Sequence, residues 1–212
     1  MQDGKPLVPA IVVDGQVTSV LHPAQVASLV GLPTPGGVEP ARLCWDLVTI
    51  LEAWIEEIEV ASWDVLVTPT PSRDRTLAHL TVNVFLPITL LPTAWSEEDF
   101  PWHPEEDDPK VEATLDGQDD YVAYARSALA LFTGAVMDLE AQSQGADPVV
   151  TSPRGGLPLS QLLMSQRWHA AFHLCQLLEF YKLQGLDRVG SFDPRRLPNL
   201  DIPEDVFGGV AS

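Results

Sequence analysis

Residues 156–185 read GLPLSQLLMSQRWHAAFHLCQLLEFYKLQG and predict one long helix. Pro158 suits the first helical turn, where its missing N–H costs nothing, and Gly185 suits the left-handed residue that ends many helices. One face of this helix is apolar at both ends, but its centre carries two imidazoles and two amides. Because burying an unpaired polar group costs about 1–3 kcal/mol, we expect something to be bound there. The stripe at helical spacing consists of Leu159, Leu162, Gln166, His169, His173, Gln176 and Phe180.

Two histidines of this stripe, His169 and His173, lie four residues apart. Side chains with this spacing on a helix point in the same direction, so the two imidazoles can bind one metal ion. The pair alone leaves open the alternative of two buried histidines satisfied by other hydrogen bonds. The zincin motif is excluded, because it needs Glu directly after the first His and Ala170 occupies that position. A third ligand has to come from another segment.

The best candidate for a third ligand is His79, which is flanked by apolar residues in another predicted helix. His22 lies in a turn-rich region, and His103 lies in an acidic segment. Three neutral imidazoles leave at least one coordination position open, which is typical of catalytic metal sites. All-nitrogen ligation suits zinc, nickel, copper or iron. The sequence therefore predicts one divalent transition metal ion, with zinc or nickel favoured, on His79, His169 and His173.

Three further helices are predicted upstream of this one. The first covers residues 39–60, where apolar side chains recur at the spacing of a buried helix face. The second opens with Ser72 as its N-cap, and Pro87 is expected to kink or end it. The third covers residues 118–144. The predicted fold class is mainly α, a four-helix bundle, and the long link between the second and third helices leaves the order of connections open.

The segment 97–120 is acidic and rich in proline. A metal site among its carboxylates is one interpretation, but the charges follow no ligand spacing. We expect a solvated loop, because Pro101, Pro104 and Pro109 interrupt regular structure. Residues 187–212 are also rich in proline and are predicted to form an extended C-terminal arm.

The N-terminal residues 1–37 differ from the rest of the chain. A short apolar run at residues 10–13 precedes Asp14-Gly15, a strong hairpin signal, and residues 16–21 can form the return strand. A short helix is predicted at residues 23–30. Three segments are therefore expected: 1–37 as a small β-hairpin and helix, 38–186 as the bundle, and 187–212 as the arm.

Composition limits the partners and the compartment. Twelve basic and thirty acidic residues give a net charge of −18, which repels phosphate backbones and anionic lipid. We therefore expect no nucleic acid and no membrane as partners. Cys44 and Cys175 cannot form a disulfide framework, so a cytoplasmic location is expected. Cys175 lies two residues after His173, about 200° around the helix, and is expected to be a buried structural cysteine.

Two resemblances follow from these motifs. The order strand, turn, strand, helix in VPAIVVDGQVTSVLHPAQVASLVG, residues 8–31, resembles the C-terminal half of a glutaredoxin, with Pro9 at the position of its cis-proline. No Cys-x-x-Cys precedes it, so redox catalysis by this segment is not expected. The alternative is a plain hairpin and helix packed on the main domain.

The second resemblance covers residues 39–186. One histidine in RTLAHL, residues 75–80, and the His-x-x-x-His of WHAAFHLCQLLEFYKLQG, residues 168–185, are similar to the pattern of DinB/YfiT-like proteins. The resemblance implies a four-helix bundle that binds a divalent metal through His79, His169 and His173. Gln176 matches a glutamine that follows the last ligand in that family, and with Gln166 it is expected to orient the ligands. Where many relatives have His-Arg-Gly-Gln, this chain has HLCQ at residues 173–176, which lacks the arginine.

Characterised members of that family include S-transferases and isomerases that use mycothiol or bacillithiol. The resemblance therefore implies a divalent-metal-dependent enzyme of small molecules, in particular a low-molecular-weight-thiol S-transferase, with catalytic residues unknown. The alternative is a non-catalytic metal-binding or protein-interaction module on the same scaffold. A small-molecule substrate and, from the large apolar helices and the arm, a homodimer are the expected partners.

Overall fold

The computed structural model describes residues 10–13, 15–19, 39–71, 75–142, 147–153 and 155–208. This part of the chain is mainly helical and carries short two-stranded sheets, which confirms the predicted mainly-α class. The chain divides into two compact units, Met1–Glu39 and Pro40–Ser212.

The first unit contains a β-hairpin. Strand β1 (Ala10–Val13) pairs antiparallel with strand β2 (Gln16–Ser19), and Val13 faces Gln16 across the turn. Gly15 has a φ of 78°, the left-handed conformation that makes glycine favourable in a two-residue hairpin turn. The hairpin prediction is therefore confirmed. The predictions for Pro9, His22 and a helix at residues 23–30 lie outside the described residues.

The second unit is built on long helices. Helices α1 and α3 each pack against both α5 and α6, and apolar side chains from all four are buried between them. A short hairpin lies between α5 and α6 in the chain, where the sequence indicated no strands. In chain order the elements are α1 (Pro40–Val60), α2 (Trp63–Leu66), α3 (Leu77–Glu97), α4 (Pro104–Glu112), α5 (Gln118–Gln142), β3 (Val149–Ser152), β4 (Gly155–Pro158) and α6 (Leu159–Leu183).

Helix α3 differs from the prediction at its start and along its length. It begins at Leu77, and the side chain of Thr76 caps it by accepting a hydrogen bond from the backbone N–H of His79. The proposed N-cap Ser72 lies outside the described residues. The helix does not end at Pro87 but continues through Pro92 to Glu97. Side chains on both sides of Pro87 are buried, and this packing outweighs the cost of the missing N–H.

Helix α4 corrects the prediction of a loop over residues 97–120. Pro104 occupies its first turn, where it costs no hydrogen bond, and Glu105, Glu106 and Asp107 follow where the helix dipole favours anions. The prolines that indicated a loop therefore include one that starts a helix. Because α4 packs against α3, it brings acidic side chains next to the polar side chains of that helix.

Helix α3 also bears on the membrane question. Among the described helices it is long and apolar enough, by length and composition, to cross a membrane. Of the 18-residue apolar stretch in this helix, 67% is buried inside the protein. Core helices pass the same test, so the finding is weak evidence for a membrane span.

The C-terminal arm runs from the end of α6 over α1 and α6. It contains one 3₁₀ turn, Pro194–Arg196, among the residues described. The buried carboxylate of Glu57 accepts hydrogen bonds from the backbone N–H groups of Val189 and Gly190, both at 3.0 Å. Arg167 donates to the carbonyl oxygen of Pro198 at 2.8 Å. Side chains of the helices therefore bind the backbone of the arm.

Candidate metal centre

His79 lies in the first turn of α3 and faces α4. Its Nδ1 is 2.6 Å from Oε1 of Glu112, and about a quarter of each side chain is exposed. Asn83 follows one turn later on the same helix, and its Nδ2 donates to Oδ2 of Asp108 at 2.6 Å. Asp108 and Glu112 are four residues apart on α4, so two successive turns of α3 and α4 are joined by polar contacts.

His169 lies on α6 and connects that helix to the same cluster. Its Nε2 is 3.0 Å from Oδ1 of Asn83. The indole ring of Trp102 packs edge-on against the imidazole, with ring centroids 5.5 Å apart. Nε1 of Trp102 donates to Oδ1 of Asp108 at 3.1 Å. His169, Asn83, Trp102 and Asp108 thus form one connected group of polar and aromatic side chains.

His173 is buried one turn further along α6. Its Nδ1 is 2.7 Å from Oε1 of Gln176, whose Nε2 donates to the carbonyl oxygen of Val206 in the arm at 2.8 Å. The imidazoles of His169 and His173 are nearly perpendicular, with centroids 4.6 Å apart. The ring of Phe172 lies 5.4 Å from that of His173. Gln176 therefore links the predicted ligand His173 to the C-terminal arm.

The structure brings some of the predicted site residues together and not others. His169 and His173 are adjacent, as their spacing predicts, whereas His79 contacts Glu112. Within the described residues, no three His, Cys, Asp or Glu side chains lie close enough to hold one metal ion. Gln166 is buried, and its Oε1 has no hydrogen-bond partner in the described part of the chain.

The hydrogen bonds of the histidine rings suit a metal ion better than the distances between the three histidines do. Metal-binding histidines typically donate their other ring N–H to a carboxylate, an amide or a backbone carbonyl. His79 with Glu112 and His173 with Gln176 show this pattern through Nδ1. His169 differs, because its Nε2 is the nitrogen in contact with Asn83.

Asn83, Asp108 and Glu112 were not among the residues proposed from the sequence. Asn83 lies four residues after His79, so the helical spacing alone could have placed it beside the predicted ligand. Asp108 and Glu112 have the same spacing, but the prolines of their segment indicate a loop rather than a helix. His103 lies at the N-cap of α4, where its backbone N–H donates to Asp107.

Burial raises the pKa of the Cys175 thiol from its ordinary value near 9 to about 11. The thiol is thus protonated at neutral pH, which agrees with a structural rather than a nucleophilic cysteine. Cys175 is fully buried, which confirms the prediction of a buried cysteine.

This shift predicts a dependence of stability on pH. The pKa of the Cys175 thiol is higher in the folded than in the unfolded protein. The protonated thiol therefore contributes stability below pH 9, and this contribution is lost as the pH rises toward 11. We expect the free energy of unfolding, measured in urea at pH 8 and pH 10.5, to fall more in the wild type than in Cys175→Ala. The cavity left by the substitution does not depend on pH. If the free energy of unfolding changes equally with pH in the two proteins, the raised pKa of Cys175 is contradicted.

No protein-family model matches this chain, and no curated protein matches it in sequence. The resemblance to DinB/YfiT-like proteins stays a prediction from the positions of His79, His169, His173 and Gln176 in the sequence.

Proposed function

We propose that the chain is a divalent-metal-dependent enzyme acting on small molecules, in particular a low-molecular-weight-thiol S-transferase, on a four-helix bundle of the DinB-like kind. The packing of α1 and α3 against the same two helices supports the bundle. In such an arrangement α1 and α3 lie diagonally across the core. A buried hydrogen bond from Nε1 of Trp54 on α1 to Oγ1 of Thr81 on α3 is consistent with this.

The observation that carries the metal proposal is the orientation of two imidazoles. Nδ1 of His79 faces the carboxylate of Glu112, and Nδ1 of His173 faces the amide oxygen of Gln176. An imidazole that is neutral and donates through Nδ1 keeps its lone pair on Nε2, the form in which it binds a metal. The amide of Gln176 is itself fixed, because its nitrogen donates to a backbone carbonyl.

His79, His169 and His173 would hold the ion. When bound, a divalent ion lowers the pKa of a coordinated thiol, so that thiolate forms near neutral pH. Glu112 and Gln176 hold the rings in position, and the aromatic rings of Trp102 and Phe172 shield His169 and His173 from water. The transfer forms a bond from the thiol sulfur to an electrophilic carbon and breaks the bond from that carbon to its leaving group. The thiol proton passes to solvent.

A non-catalytic interaction module is the second candidate, and one observation favours it. The Nε2 of His169 is engaged by Asn83, so the histidines can be satisfied as part of a buried hydrogen-bonded cluster without a metal. Such a cluster would make the conformation of α3, α4 and α6 specific without providing turnover.

One experiment distinguishes the S-transferase from the interaction module. Metal-free protein is loaded with Zn²⁺ or Ni²⁺ and incubated with bacillithiol, mycothiol or glutathione and 1-chloro-2,4-dinitrobenzene. We expect formation of the thioether, followed by absorbance, only with the metal-loaded protein. His103→Ala should behave as the wild type does, since His103 lies outside the cluster. Stoichiometric metal binding without turnover with any of the three thiols would favour the interaction module instead.

A further inference from the structure

We infer that α6 carries a peptide-binding groove over residues 167–176, which residues 198–207 of the C-terminal arm occupy as an intramolecular ligand. These residues are called the tail segment below. The inference goes beyond the proposed function, because it rests on contacts between α6 and the arm alone. The groove fits an extended peptide with the apolar side chains of the tail segment, and a partner peptide has to displace that segment before it can bind.

The hydrogen bonds from α6 to the tail segment are made by side chains of the helix to backbone carbonyl oxygens. The pairs are Arg167 with Pro198 at 2.8 Å, Trp168 with Asp201 at 3.0 Å, and Gln176 with Val206 at 2.8 Å. Every peptide offers such carbonyl groups, whatever its side chains. Contacts to the main chain are the usual source of affinity in sites that bind extended peptides.

The tail segment follows α6 in the same direction as the helix. Trp168 and Gln176 are eight residues apart, about 12 Å along a helix. The carbonyl groups that they bind, at residues 201 and 206, are five residues apart, and five residues span at most about 16–18 Å when fully extended. The segment has no helix or strand, and after a turn at Asn199, whose φ is 55°, it is largely extended.

Apolar side chains give the tail segment its register on the protein. Ile202, Val206 and Phe207 are buried, whereas residues 203–205 between them are exposed. On α6 the rings of Trp168 and Phe172 stack, with centroids 4.9 Å apart, and Trp168 stays partly exposed. Aromatic side chains line many grooves that bind extended, proline-containing peptides. The buried side chains at residues 202, 206 and 207 are therefore the expected source of specificity.

A second anchor holds the arm upstream of the tail segment. The backbone N–H groups of Val189 and Gly190 donate to the buried carboxylate of Glu57 on α1, both at 3.0 Å. Hydrogen bonds to a charged acceptor are stronger than neutral ones. This anchor keeps the arm on α1 when the tail segment leaves α6. The tethered segment then has an effective concentration at the groove of about 1 mM, as short flexible linkers give.

Release of the tail segment in the full-length chain tests the groove. Ile202→Asp combined with Phe207→Asp puts two charges where apolar side chains are buried, which should free the segment. Heteronuclear ¹H–¹⁵N NOE measurements should show that it has become mobile. A fluorescein-labelled peptide with the sequence of residues 197–208, LPNLDIPEDVFG, should then bind, as measured by fluorescence anisotropy. For a peptide Kd of about 10 μM, we expect roughly hundredfold weaker apparent binding to the wild type, where the tethered segment competes.

Two controls test the contacts themselves. Trp168→Phe, added to the double variant, keeps an aromatic ring but removes the indole N–H, so the peptide should bind about 2- to 10-fold more weakly. A peptide that carries the same two Asp substitutions is the matched control and should not bind. Phe207→Asp alone serves if circular dichroism shows that the double variant does not fold.

Three results would overturn the inference. The first is a tail segment that stays ordered in the folded variant. The second is a folded variant with a mobile segment that binds the wild-type peptide no more tightly than the wild-type chain does, or that binds both peptides equally. The third is the failure of both the double variant and Phe207→Asp to fold, because the tail segment would then belong to the core and would not be a ligand.

Discussion

His79→Ala is expected to lose the metal while the fold remains. Structural zinc sites with four ligands contribute about 10–16 kcal/mol, or roughly 3 kcal/mol per ligand, so losing one ligand should weaken Zn²⁺ binding about a hundredfold or more. His79 is in the first turn of α3, partly exposed, and its helix-capping hydrogen bond uses its backbone N–H. Isothermal titration with Zn²⁺ measures the affinity, and circular dichroism verifies the helix content.

His169→Ala should have a similar effect on affinity, whereas His103→Ala should have none. His103 caps α4 through its backbone and has no part in the cluster around His169. The three variants together separate loss of a ligand from loss of any histidine. The proposal fails if a folded His79→Ala protein still binds one full equivalent of Zn²⁺ with wild-type affinity.

The sequence was most informative where helical spacing is strict. The adjacency of His169 and His173 follows from two residues on one helix, and the structure places their rings 4.6 Å apart. The contact of Gln176 with His173 follows from the same geometry, three residues apart. Contacts within one helix need only the period of the pattern, and this is why they could be predicted.

Contacts between helices could not be predicted in the same way. The partner of His79 is Glu112, 33 residues later, on a helix that proline and acidic residues had indicated as a loop. Helix α4 forms because Pro104 and the acids that follow suit a first turn, while its buried Asp108 is held by Asn83 and Trp102. The helix propensity of the segment does not include these contacts between Asp108 and side chains of other segments.

Proline was misleading in α3 for a related reason. The missing N–H of Pro87 lowers the intrinsic stability of the helix, but the apolar residues around it are buried against neighbouring helices. The cost of one backbone hydrogen bond is smaller than the gain from burying several large side chains. The apolar residues around Pro87 therefore predict the length of this helix better than its prolines do.

The largest effect on stability is expected from the buried ion pair between α1 and α6. Nη2 of Arg167 is 2.8 Å from Oδ2 of Asp46, and the two side chains are only 4% and 14% exposed. Burial lowers the pKa of Arg167, while Asp46 opposes that shift by favouring the charged form. Asp46→Ala leaves the guanidinium buried without its counter-charge, which should reduce the free energy of unfolding by about 3 kcal/mol. Urea denaturation measures this loss.

The double substitution Asp46→Leu with Arg167→Met distinguishes loss of the ion pair from the penalty of an unpaired charge. Replacing both charged side chains by apolar ones of similar volume is often neutral or stabilising, so the double variant should be markedly more stable than Asp46→Ala. Glu179→Ala is the control, because its ion pair with Lys182 is largely exposed and should contribute less than about 0.5 kcal/mol. If Asp46→Ala and Glu179→Ala destabilise equally, the buried charge of Arg167 is compensated by other groups, such as the carbonyl oxygen of Pro198 in the arm.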